Sequence, residues 1–174
     1  MWDFFETVRH RHSVRQYQSA TAIEKEKLHA ILEMACAAPS AGDLQAYQII
    51  VIHNQQTRDA LRKAADDQAF LSEAPTCLVF CADTERSAER YGDRGRNLYA
   101  LQDTTIAATY AQLATVAAGM ASTWIGHFDE QQVSELLDLP TGLKPIAMLS
   151  IGYPAELPEP SPRRRMDEVI KTID

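Results

Sequence analysis

Arginine is the residue whose placement in this chain most suggests chemistry. Arg9, Arg11 and Arg15 fall within seven residues around Ser13, and Arg163, Arg164 and Arg165 are consecutive near the other end. In an extended chain, residues i and i+2 point the same way. Arg11, Ser13 and Arg15 can therefore present two guanidinium forks flanking a hydroxyl, and Arg163 and Arg165 can present a second pair. Such forks match a phosphate or carboxylate with paired hydrogen bonds. Two readings stand: an anion-binding face, or a solvated basic patch offsetting an acidic surplus.

Two other segments could approach a ligand. Ala38-Pro39-Ser40-Ala41-Gly42-Asp43-Leu44-Gln45 lies between a predicted helix and a predicted strand. Its small and amide side chains let the backbone and Gln45 reach a flat polar ligand, although a plain helix-to-strand turn would use the same residues. In Trp124-Ile125-Gly126-His127, Gly126 ends a strand and permits close backbone approach, as would a bulge or bend. Other signatures are missing. The sequence has no P-loop, no G-x-G-x-x-G, no G-x-S-x-G elbow, no H-E-x-x-H and no C-x-x-C. His10 and His12 do not by themselves make a metal site, and none is expected. Gly92-Asp93-Arg94-Gly95 matches the G-x-x-G of KH domains but reads better as a turn.

Elements must position these residues. Trp2, Phe5 and Val8 have helical spacing over residues 2–9, and residues 13–17 lose it and read as extended. Thr21 to Glu24 reads as a capping box opening a helix through Leu28, Ile31, Leu32 and Ala35, which Pro39 stops. Strands are expected over residues 47–52, 76–82, 122–125 and 145–153, and a short helix over 57–65. Residues 83–97 read as a charged loop with fragments of helix. An Ala- and Thr-rich helix follows over 98–118, closed by Gly119, and Asp129 with Gln132 caps a further helix. Prolines at 154, 158, 160 and 162 make an extended tail from residue 154. The expectation is one α+β domain over 1–174, a central sheet with helices on both faces.

The chain has 174 residues, is 45% hydrophobic and carries a net charge of −7. It is long enough to bury a real core, and its acidity argues against nucleic acid as a partner. No apolar run reaches the ~18 residues a membrane span needs. Three cysteines and an N-terminus unlike a signal peptide point to a reducing compartment, the cytoplasm. Cys77 and Cys81, four residues apart on one strand, are too far apart to bridge.

Taken in order, these motifs resemble the FMN-dependent nitroreductases, and the likeness runs over nearly the whole chain. Arg11-His12-Ser13-Val14-Arg15 is similar to that family's opening R-x-S-x-R. Residues 38–47 resemble its A-P-S-x-x-N-x-Q-P-W segment, Trp124-Ile125-Gly126 its flavin-facing strand end, and Arg163 to Arg165 its late basic pair. Residues 90–95, Tyr99 and Gln102-Asp103 look like a compact subgroup. The resemblance implies an α+β three-layer sandwich with a mixed or antiparallel sheet, built as an intertwined homodimer with FMN sites across the interface. It implies contacts to FMN from Arg11, His12, Ser13 and Arg15, with Arg163 and Arg165 on the phosphate. From the other subunit it implies Pro39, Ser40, Ala41, Asp43 and Gln45 near the ring, with Ile125 and Gly126 also at the flavin. Gln68 is a further contact, and the Ala/Thr-rich helix packs at the dimer core.

The implied activity passes two electrons from NADH or NADPH through FMN to a nitro compound, quinone or free flavin. No side chain is assigned acid or base chemistry. A flavin- or nucleotide-binding carrier without turnover, or an anion-binding domain without flavin, would share these motifs. The chain departs from the family pattern at Asp43 (family Asn), at Ala46-Tyr47 (family Pro-Trp) and at Ile125 (Glu in larger members). Asp43 either places a charge beside the ring, caps the turn or pairs with an arginine.

Overall fold

The structure is a computed structural model and describes residues 3–173. Its centre is β2 (Thr76–Asp83), whose continuous apolar run is buried along almost its whole length. β2 pairs antiparallel with β1 (Tyr47–Ile52) on one side and β4 (Leu143–Gly152) on the other, and β4 pairs antiparallel with β3 (Ala121–Ile125). The order β1-β2-β4-β3 leaves β1 and β3 as edges.

The two-residue period of a strand divides the core between the two faces. Cys77, Val79 and Cys81 join one cluster, with Leu61 of α3 (Gln55–Ala64), Phe70 of α4 (Phe70–Glu73) and Val133 of α7 (Glu130–Leu136). Leu78 and Phe80 join the other, with Ile31 of α2 (Lys25–Cys36) and Ala107, Ala108 and Ala111 of α6 (Ala100–Ala117). The result is a three-layer α+β sandwich. Cys77 and Cys81 are free and buried, as the strand geometry required, and burial pushes both thiols up to about 12. No helix among the described residues is long and apolar enough to cross a membrane.

Several expectations need correction. The first helix, α1, spans Phe4–His10 and is capped by Asp3, whose Oδ1 accepts from Glu6 N at 2.8 Å; Trp2 lies outside the described residues. The capping box at Thr21 does not form. Helix α2 begins at Lys25, and the Glu24 carboxylate instead accepts from the Tyr153 hydroxyl at 2.6 Å and pairs with Lys27 at 3.5 Å. The largest miss is residues 83–97. They form α5 (Thr84–Arg94), capped by Asp83, and a π-helical turn, Gly95–Tyr99, that leads into α6. The inward residues of this stretch are Thr84, Ser87 and Gly95, too small and polar to leave an apolar stripe in the sequence. The G-x-x-G is not a loop turn but the end of α5, broken where Gly92 takes φ +56°. In α6, Ala107, Ala108 and Ala111 pack within the chain against the sheet, while Tyr110 stands exposed on another side. The last helix, α8 (Met166–Val169), sits in an exposed tail.

Candidate functional site

Residues 11–17 run along the outer edge of β3. Val14 is buried, its N–H donates to Ser122 O at 3.2 Å, and its carbonyl accepts from Thr123 Oγ1. Tyr17 anchors the far end, donating to Ser150 O at 3.2 Å and sharing a hydrogen with Ser150 Oγ at 2.8 Å. Val14 faces the core, while Arg11, Ser13 and Arg15 lie on the cleft side together with His12; the strict alternation of an extended chain is not kept, since Tyr17, in step with Ser13, is buried.

The tail returns over them. Arg11, His12, Ser13 and Arg15 line a cleft of about 300 Å³ with Pro158, Glu159, Ser161 and Arg163. Burial, then the nearby Arg163 charge, lowers the Arg11 guanidinium from its ordinary range. Among the described residues Arg11, Arg15 and Arg163 form no ion pair, although the chain carries a net charge of −7 and Glu159 shares the cleft. A bound anion would relieve that tension. Arg165 does not join the cleft. It caps α8 and grips Asp167 at 2.7 and 3.0 Å, so the chain turns away before the i, i+2 pairing with Arg163 can operate. Arg164 is held by Glu168 at 3.3 Å.

The loop after α2 forms a second half-site. Pro39, Ser40 and Ala41 line an open, mainly apolar cavity of about 610 Å³ with Tyr99, Leu101, Gln102, Asp103 and Ile106. Asp103 was legible only as an acid on an otherwise uncharged helix face. It is buried, its Oδ1 accepts from Ala41 N at 2.9 Å, and its Oδ2 has no partner. Gln45 is not in this lining. Its amide donates to Cys36 O at 2.8 Å, and its N–H donates to Ser40 Oγ at 2.9 Å, so it braces the loop on the end of α2. Gly42, Asp43 and Gln45 all adopt positive φ, +59°, +57° and +48°. Glycine suits position 42, where φ is positive and a Cβ would press on the ends of the Tyr91 and Arg90 side chains of α5. Asp43 is exposed and makes no ion pair among the described residues; Asn and Asp tolerate its left-handed backbone best among non-glycine residues. Neither a charge pair nor a side-chain cap is seen for it.

At the end of β3, Ile125 is buried and Gly126 exposed. A Cβ on Gly126 would meet only the Trp124 indole, at 3.4 Å, so its outer face is open. His127 reaches Asp66 at 2.9 Å, and Gln68 bonds back to Ala65 O at 3.0 Å.

A model of the nitroreductase family matches residues 8–70 and 66–153. The chain belongs to the nitroreductase family. A relative named NADH dehydrogenase, from Thermus thermophilus, is 32% identical over 187 residues, covering 92% of this chain and 91% of that protein. The NADPH-flavin oxidoreductase of Vibrio harveyi is 30% identical, covering 91% of this chain and 68% of that protein. Among solved structures, nitroreductase A from Vibrio parahaemolyticus superposes with a TM-score of 0.91 at 31% identity, covering all of this chain and 76% of the other. NfrA2 of B. megaterium gives 0.91 at 28%, covering 98% and 74%. This nitroreductase-family chain thus keeps the shared fold across its full length.

Proposed function

We propose that the protein is an FMN-dependent oxidoreductase that passes two electrons from NAD(P)H to a nitroaromatic, quinone or flavin acceptor, working as a homodimer in the cytoplasm. The observation that carries this reading is the partly desolvated cationic cleft of Arg11, Ser13, Arg15 and Arg163, in a family whose relatives include a flavin oxidoreductase and FMN reductases. Its donor set fits a phosphate: guanidinium forks without carboxylate partners, beside a hydroxyl. FMN, when bound, supplies the two-electron chemistry. The residues of this chain bind and orient it. Arg11 and Arg163 hold the phosphate, and Arg15 adds positive charge that favours an electron-rich ring. The apolar cavity beside Pro39 to Ala41 excludes water, and Asp103 fixes its floor through the Ala41 N–H.

The placement of the two half-sites supports the proposed dimer. The cationic segment borders β3, and the Pro39 loop leads into β1 at the opposite edge. Three strand spacings, roughly 14 Å, separate those edges. A second copy can bring one chain's arm to the other's loop. Apolar surface is available for it. Phe4, Met34 and Tyr110 border a groove between α1, α2 and α6, and Leu157, Met166 and Ile173 stand exposed on the tail. Three free cysteines among the described residues suit a reducing compartment.

Purification and a spectrum test the reading. Yellow protein, bleached by NADH or NADPH under nitrogen and recoloured by a quinone, is the expected result. Yellow protein that neither nucleotide bleaches would make it a carrier. Colourless protein that FMN cannot reconstitute refutes both.

A further inference from the structure

We propose that Arg86, Arg90 and Arg94 form a docking row for the phosphates of the nucleotide donor and make the site prefer NADPH to NADH. The proposal rests on the oxidoreductase reading above and adds the choice of donor. The three arginines stand at i, i+4 and i+8 in α5, the first two one helical turn apart and the last beyond the non-helical break at Gly92 that re-aims it. Each is tied down. Arg86 Nε donates to Leu44 O at 2.6 Å, Arg90 Nη1 to Gly42 O at 3.2 Å, and Arg94 Nε to the Tyr99 hydroxyl at 2.9 Å. Arg90 also lies 5.4 Å from the Tyr91 ring centre and Arg94 5.4 Å from that of Tyr99. A guanidinium has five N–H groups, so one anchoring bond leaves most of the fork available. Fixing the stem beforehand lowers the entropy lost on binding.

The acids around the row leave it uncompensated. Glu85 and Asp93 on the same helix both go to Arg96, at 2.7 and 3.5 Å. Glu89 makes no ion pair with the row, and no carboxylate among the described residues pairs with Arg86, Arg90 or Arg94. Position then defines the ligand. Tyr99, which carries Arg94, lines the cavity beside Pro39 to Ala41, and the carbonyls holding Arg86 and Arg90 belong to the same loop. The row therefore starts where the ring-sized cavity ends. A ligand whose flat ring meets the flavin at that cavity and whose phosphates trail along α5 has the shape of a dinucleotide. The cofactor's own phosphate has a separate place, the cleft of Arg11, Arg15 and Arg163. Three fixed cations on successive turns serve more than one phosphate centre, which NADPH offers through its 2′-phosphate in addition to the pyrophosphate.

Calorimetry on the FMN-loaded protein with NADP⁺ and NAD⁺ needs no turnover. The wild type should bind NADP⁺ at least tenfold more tightly than NAD⁺, with a steeper salt dependence for NADP⁺. Arg94→Gln, whose one side-chain hydrogen bond among the described residues is an exposed one to the Tyr99 hydroxyl, should reduce that preference at least fivefold, and Arg94→Lys should restore part of it. Lys25→Gln, a charge control at the start of α2, should leave it intact. Equal binding of the two nucleotides by the wild type, or an equal loss of both in Arg94→Gln, overturns the proposal. Bleaching separates its failure from that of the parent reading. If NADH and NADPH bleach the protein equally well, only the donor preference falls; if neither does, the oxidoreductase reading falls and takes the preference with it.

Discussion

Replacing Tyr17 by Phe removes one hydroxyl and tests how the cationic segment is held. Tyr17 is only 6% exposed, and its hydroxyl meets Ser150 Oγ at 2.8 Å and Ser150 O at 3.2 Å. Losing a buried hydrogen bond costs about 1 kcal/mol net, and the stranded Ser150 hydroxyl adds about 1 kcal/mol more. The variant should therefore be less stable by about 2 kcal/mol at pH 7. That gap must narrow in alkali. Burial, only partly opposed by the Ser150 and Thr123 hydrogen bonds, raises the Tyr17 phenol from 10.0 to about 12. Because the folded value is the higher one, the contribution is complete below pH 10 and is lost as pH rises from 10 to 12, where only the unfolded chain ionises. By pH 11 the wild type has lost about 1.4 kcal/mol that the Tyr17→Phe variant never had. Cys77 and Cys81 titrate in the same range but are common to both proteins. Urea unfolding at pH 7 and pH 11 measures the two gaps. A gap that stays constant between them refutes the argument that the phenol is held neutral by burial.

Arg163→Ala should weaken FMN by tenfold or more, since a charged hydrogen bond is worth about 1.5–3 kcal/mol, and leave riboflavin affinity unchanged; Arg165→Ala, outside the cleft, should change neither affinity much. Fluorescence titrations with both flavins decide this, and an equal loss for FMN and riboflavin argues against a phosphate site. Asp43→Asn keeps the left-handed turn and removes a charge, so it should raise the flavin midpoint potential with little change in melting temperature; potentiometric midpoints within a few millivolts of each other would make Asp43 structural. Light scattering on the FMN-loaded protein should give twice 19.4 kDa, and a monomer that retains FMN contradicts the shared site.

What the sequence made legible was whatever repeats with a period or carries a motif. β2 was plain because a strand buried on both faces is a continuous apolar run, and α2 because its apolar residues recur at helical spacing. Helix α5 was not. Its buried side is Thr84 and Ser87, and its hold on the protein comes from arginines donating to carbonyls of the Gly42 loop, a partnership with no local signature. The site divides the same way. The R-x-S-x-R spacing announced the Arg11 face, but whether Arg163 or Arg165 would reach it depended on where the tail turns. Gln45 left its expected place at the cavity, and Asp103, given no role from sequence, lines it, for a similar reason. The amide was needed to close the end of α2, and the buried acid took the Ala41 N–H.

Placing the cationic arm at one edge of the sheet and the ring-facing loop at the other has a genetic consequence. If the proposed dimer forms, damage to the arm and damage to the loop would fall on separable halves of a composite site. In a mixed dimer of one chain with a ruined arm and one with a ruined loop, both lesions fall on one site and the other is assembled from two undamaged halves. Under the proposed dimer, two inactive alleles would together restore about a quarter of the activity, because half of randomly paired dimers are mixed and each mixed dimer has one intact site of two, while two alleles damaged in the same half would restore none. The distance between sheet edges sets which lesions complement and which do not.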